Sequence, residues 1–275
     1  MSPESLPEYR VKALNTSRHG ENLIHDDTVA RQYGFPGAFV PGVTIYAYMT
    51  HPVVQTLGPA WLARGTASVR FLKPILEGEE VVVAGSVTGR DARGIAATVT
   101  ARTDGNGECA VATVTLPAGA PTPVNRTLYA EAPLPAERPV ATRAHLETLD
   151  RLGTPVATYD EALAAMYVAE KGDDLALYRG ADGHVHPAFL LTEANRALSR
   201  NVRVSPWIHV GSAVRHLGAP RVGDTLSTRG RVRSLFEKKG REFVELDLLV
   251  VSGTSARPVA HILHTAIYRL PAPPA

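Results

Sequence analysis

The groups with the greatest chemical potential in the first half of the chain lie within a few residues of one another: Glu21, Asn22, His25, Asp26 and Asp27. An imidazole titrates near about pH 6.5, so His25 can accept and return a proton in neutral solution. Asn22, three residues earlier, supplies an amide that can hold the ring, a water or a substrate. The aspartates also suit a structural task, since Asp26 or Asp27 can cap a helix running through Tyr33.

Other reactive groups are weaker candidates. His184 and His186, and again His261 and His264, have spacings a metal could use, but no Cys or carboxylate set accompanies either pair. No metal site is expected. Cys109, the single cysteine, sits in a stretch alternating apolar and small residues and reads as core. No glycine-rich phosphate loop or dinucleotide fingerprint follows a predicted strand, so neither ATP nor NAD chemistry is expected. Lys238, Lys239 and Arg241 cluster at a hairpin, where they could meet coenzyme A phosphates but suit a solvated turn better.

These residues are placed by a chain of 275 residues with 29 Lys and Arg against 27 Asp and Glu. The near balance gives no basic surface for a nucleic acid backbone or an anionic membrane. Between Gln32 and Ala63 no charged residue occurs, but Pro36, Pro41, Pro52 and Pro59 interrupt the segment. Its longest apolar run, Val43 to Met49, predicts a buried helix and not a membrane span. The opening Met1-Ser-Pro-Glu-Ser5 lacks the basic and apolar regions of a signal peptide, and one cysteine cannot form an internal disulfide, so a cytoplasmic location is expected.

Sliding the chain against itself reveals a repeat at an offset of 145 residues. Val69 to Val87 overlays Val214 to Val232 without a gap, with identity at six of nineteen positions. The same offset lays Val40-Pro41-Gly42 on Val185-His186-Pro187, each opening an apolar run. The six prolines between Pro117 and Pro139 suit an extended connector. The expected organisation is therefore a first domain over 1–118, a linker over 119–140 and a second domain over 141–275. Within each domain an irregular segment and a long helix precede antiparallel strands: 67–72, 80–87, 95–103 and 109–116, then 208–217, 225–236, 241–251 and 256–268. One long apolar helix per half is the cover available to each sheet.

A helix wrapped by an antiparallel sheet, twice, is an α+β double hotdog. The words Glu21-Asn-Leu-Ile-His25-Asp-Asp27, Gly34-Phe-Pro36 and Val40-Pro-Gly42 resemble the MaoC-like (R)-specific enoyl-CoA hydratase and dehydratase family. That family places an Asn three residues before a His and a Gly at the opening of the central helix; Asn22, His25 and Gly42 match. It also places an Asp five residues before the His, where this chain has Gly20. In the second half Glu170 and Tyr167 stand at the positions of His25 and Asn22, so the resemblance implies one site per chain.

The resemblance implies a hydro-lyase acting on an acyl thioester carried by coenzyme A or an acyl carrier protein. His25 would be the general base, the Gly42 amide would hold the enolate oxygen, Asn22 would position a reactant, and Glu21 or Asp26 would replace the missing carboxylate. No separate cofactor is required, and the pantetheine arm belongs to the substrate. Two alternatives stand beside it: a hotdog thioesterase directing water with Glu193, on a helix face expected to meet solvent, and a non-catalytic acyl-binding protein. The duplicated chain could act as a monomer with an internal pseudo-dimer or as a homodimer.

Overall fold

The computed structural model describes residues 4–271. Its helices are α1 (Asp27–Gln32), α2 (Gly42–Arg64), α3 (Arg143–Leu146), α4 (Glu161–Glu170) and α5 (Pro187–Ser199). Its strands are β1 (Ser5–Lys12), β2 (Thr66–Phe71), β3 (Glu80–Asp91), β4 (Gly94–Thr103), β5 (Gly107–Pro117), β6 (Val156–Thr158), β7 (Ile208–His216), β8 (Thr225–Lys238), β9 (Arg241–Ser252) and β10 (Arg257–Arg269).

Every residue from Val43 to Val54 is buried, as a helix that is apolar on all sides requires. The helix kinks at Gly58, whose φ of 61° is one that glycine alone adopts without strain, and Pro59 follows. The shorter α5 presents its apolar face to the second half of the sheet, and the two central helices pack on each other.

The ten strands form one sheet in the order β1-β3-β4-β5-β2-β7-β10-β9-β8-β6, antiparallel throughout. The halves join where β2 meets β7. Ala67 faces Val214 and Val69 faces Ser212. Exchanging the halves by the repeat offset turns the first of these pairs into the second, and Ser68 opposite Ala213 into itself. The seam is thus the isologous contact of two like subunits, retained inside one chain.

The eight principal strands fall within a few residues of the expected ranges. The N-terminal segments differ from expectation, because β1 and β6 add short edges to the two ends of the sheet. Edge strands are half solvated, so their apolar signal is weak. The β1 edge is marked by ion pairs of Arg10 with Glu8 and Glu80. Between β5 and α3 the chain forms no strand and runs along the second half, where the Tyr129 hydroxyl donates to Asp247 at 2.8 Å. No helix among the described residues is long and apolar enough to cross a membrane.

Candidate active site

His25 ends a single helical turn, Leu23–His25, immediately before α1. Asp26 caps α1 by accepting the N–H groups of Thr28 and Val29 at 2.9 and 3.1 Å, so its carboxylate is occupied locally. The His25 ring is buried, only 8% exposed. Its Nδ1 lies 2.8 Å from the Phe39 carbonyl oxygen, which can only accept, so Nδ1 carries the proton and Nε2 keeps a lone pair. Burial lowers the pKa of His25 below the usual imidazole value, and the Phe39 bond opposes this in part. The ring is a neutral base of defined tautomer.

His25 lines a cavity of about 660 Å³ between the halves, bounded also by Gly20, Glu21, Asn22, Pro41, Gly42 and Val43. Opposite them stand Thr192, Asn195, Arg196, Ser199 and Arg200 around α5, together with Trp207 and His209. The α2 N-terminus opens onto this space. Thr44 and Ile45 make the first turn bonds to the Pro41 carbonyl at 2.9 and 3.1 Å, while among the described residues the Gly42 and Val43 amides have no hydrogen-bond partner. Free N–H groups at the positive end of a long helix favour developing negative charge. A Cβ on Gly42 would lie 2.9 Å from the Phe71 ring, so glycine also allows the close approach of that ring.

The second half offers no such end. Pro187 stands at the repeat position of Gly42 and has no N–H, and His186 Nδ1 accepts the Ala188 amide at 3.1 Å. Tyr167 is buried against α5 and Glu170 pairs with Lys171.

Asn22 is placed differently from a reactant-binding amide. Its Oδ1 accepts the Trp207 N–H at 3.1 Å and its Nδ2 donates to the Trp207 carbonyl at 3.0 Å, a two-way clamp joining the His25 segment to the second half. Asn22→Ala removes both bonds and is expected to cost about 2 kcal/mol, at about 1 kcal/mol per bond. It should also slow turnover by loosening His25; thermal melts and rates on the same preparation check both.

Glu21 lies at the mouth of the cavity with its side chain 72% exposed, paired with Arg138 at 2.7 Å. The Arg138 hydrogen bond holds its carboxyl below the usual carboxylate range. Among the described residues no carboxylate bonds to His25: Glu21 pairs with Arg138 and Asp26 caps α1. Glu21→Gln is therefore expected to change turnover less than about 3-fold and stability by less than about 1 kcal/mol, as an exposed pair allows. A 100-fold loss of kcat would show a proton-transfer role.

Glu193 does not face solvent as expected. It is fully buried on α5, with Oε1 2.9 Å from Arg196 and Oε2 without a partner. Burial raises its pKa, opposed by Arg196, and it is not among the residues lining the cavity. Asn195 does line it, with a buried and unpartnered Oδ1. Of the histidine pairs, His261 bonds Asp247 while His264 points into the core, and His186 Nε2 donates to Asp173 at 3.2 Å. His51, Asp173 and Asp174, which the sequence reading did not single out, bring three potential ligand atoms within 4.8 Å of one another, with His51 Nε2 2.9 Å from Asp174 and 3.9 Å from Asp173.

A second, apolar cavity of about 130 Å³ adjoins the first, walled by Phe35, Ile45, Phe71, Ile75, Cys109 and Ile267. The two cavities share Phe39, Gly42, Ile208 and His209. An apolar group in one and a polar arm in the other would meet at Gly42.

The fold is the double hotdog. No protein-family model matches the chain, and no curated protein matches it in sequence. Solved structures of the same architecture include a MaoC domain protein proposed as a dehydratase from Chloroflexus aurantiacus J-10-fl, with a TM-score of 0.65 and 12% identity over 97% of this chain and 95% of that one. A double hotdog protein of Mycobacterium tuberculosis superposes with a TM-score of 0.59 and 13% identity over 97% and 96% of the two chains. A proposed oleoyl thioesterase of Lactobacillus plantarum gives 0.55 and 10%, covering 98% of each. At these identities the likeness establishes the fold.

Proposed function

We propose that the chain is an acyl-thioester hydratase or dehydratase with one site, built on His25 and the Gly42 amide. The observation that carries the reading is that a neutral imidazole with a free Nε2 and the unpartnered amides of α2 open onto one cavity. The acyl group occupies the apolar cavity and the thioester lies at Gly42. The carrier leaves past Arg138, Arg196 and Arg200, whose charge suits the phosphates of coenzyme A or a phosphopantetheine arm.

Without a carboxylate at position 20, His25 performs both proton transfers. Nε2 takes a proton from water as the water oxygen bonds to the β-carbon of the enoyl thioester. The double-bond electrons move toward the thioester oxygen, which the Gly42 N–H stabilises. The imidazolium then gives the same proton to the α-carbon, and the enolate returns to a thioester. Dehydration runs these steps backward. The reading requires no cofactor beyond the thioester's own carrier.

Incubation with an enoyl-CoA and, separately, a saturated acyl-CoA tests this reading. Formation of a 3-hydroxyacyl thioester from the first, without thiol release from the second, is the expected result. Thiol release from both would favour hydrolysis, and binding without turnover an acyl-binding role.

A further inference from the structure

Behind the wall shared by the two cavities lies a buried polar row that the His25 chemistry does not use. His209 Nε2 is 2.8 Å from Ser212 Oγ, and Ser212 Oγ is 2.9 Å from His264 Nδ1. The two imidazoles pack with centroids 4.2 Å apart, and His209 meets the Phe71 ring edge at 4.9 Å. The outer nitrogens, His209 Nδ1 and His264 Nε2, are both buried without a partner. They are not equivalent. His264 is wholly enclosed in the core, whereas His209 lines both cavities, and a Cβ on Gly42 would lie 3.1 Å from its Nδ1.

Burial keeps both rings neutral: it lowers His264 to about 3 and His209 well below the ordinary value, with His264 adding to the latter shift. A serine hydroxyl has one proton, so Ser212 donates to one ring and accepts from the other. If it donated to His264, that ring would hold an N–H in the core with no acceptor. If it donates to His209, His264 retains only a bare lone pair, and the N–H is His209 Nδ1–H beside Gly42. Each arrangement leaves one N–H and one lone pair without a protein partner; the first strands the N–H in the core, while the second sets it at the cavity wall beside Gly42, where a bound oxygen can accept it.

We propose that His209 is a second catalytic residue, donating a hydrogen bond from Nδ1 to the thioester oxygen beside the Gly42 amide, with Ser212 and His264 setting its tautomer. The inference rests on the acyl-thioester reading above. His209 transfers no proton; the oxygen gains a second donor as its charge grows and loses it when the thioester re-forms. A donor aimed at developing charge acts on kcat more than on KM.

The test is steady-state hydration of an enoyl-CoA by the wild type, His25→Asn, His209→Leu and Ser212→Ala, with a thermal melt of each. Nitrogen-15 spectra of histidine-labelled wild type are recorded alongside. The expected result is a fall in kcat of roughly 100-fold for His209→Leu and about 10-fold for Ser212→Ala, each with KM changed less than about 3-fold. The spectra should show His209 protonated at Nδ1 and bare at Nε2. Ser212→Ala and the spectra decide the matter if His209→Leu does not fold. Full kcat in the His209 and Ser212 variants while His25→Asn is inactive, or a bare Nδ1 on His209, would overturn this inference and leave the reading of the site intact. Absence of hydration by the wild type would remove both.

Discussion

Replacing His25 with asparagine is expected to lower turnover of an enoyl thioester by about 100- to 10,000-fold, the scale of a positioned base. Asparagine Nδ2 can still donate to the Phe39 carbonyl, which His25 Nδ1 approaches at 2.8 Å, so the bond holding the segment survives while the base is lost. The melting temperature should fall by only a few degrees. In the wild type, kcat/KM should be level through neutral pH and fall on the acid side, where His25 takes up a proton. Burial moves that limb below about pH 6.5, because the neutral form is the one required and desolvation favours it. Undiminished turnover by His25→Asn would return the ring to a structural role.

A sharp acid destabilisation is the other large effect expected. His216 and His264 are buried, and burial lowers their pKa values to about 4 and about 3. In the unfolded chain each takes up a proton below about pH 6.5, while in the folded chain neither does until its depressed value is reached. Their contribution is therefore complete above about pH 6.5 and is lost as pH falls toward the folded values. Two such groups give a slope of roughly 3 kcal/mol per pH unit, which over two units rivals the about 5–15 kcal/mol stability of a typical protein. His216→Phe offers a control. It removes two unpartnered nitrogens and keeps a ring against Trp61, now 4.8 Å from the imidazole, so it should raise the melting temperature more at pH 5 than at pH 8. An unchanged melting temperature of the wild type between pH 8 and pH 5 would contradict this.

The architecture was legible in the sequence because its signals are redundant. The charge-free run at Val43, the hairpin glycines and the overlay of Val69 on Val214 all specify the same duplicated unit. That overlay even implies the seam, since it pairs β2 with its own repeat, β7. The edges were less legible: β1 alternates exposed charged residues with few buried ones, and β6 is only three residues long and none of them is buried. Glu193 shows where type misled and spacing would have served. It lies three residues after Leu190 and four before Ala197, on the apolar face of α5, so helical period places it inside despite its charge. The pair His261 and His264 carries the same lesson for strands, where positions three apart point to opposite faces. His25 and Gly42 stand out through local patterns, the Asn-x-x-His spacing and the apolar run that Gly42 opens. His209 comes from the other half, and no local pattern links it to Gly42; only the joined sheet brings them together.

The central claim is that one base, His25, adds water and returns its proton to the α-carbon while the thioester survives. Hydration of an enoyl-CoA in deuterium oxide, read by proton and carbon magnetic resonance of the product, measures this directly. The account predicts an intact 3-hydroxyacyl-CoA with a single deuterium at the α-carbon, added to the same face as the new hydroxyl, and no such product from His25→Asn. Deuterium on the opposite face would require a second acid, and free coenzyme A with an unlabelled acyl chain would show a thioesterase; either result contradicts the account.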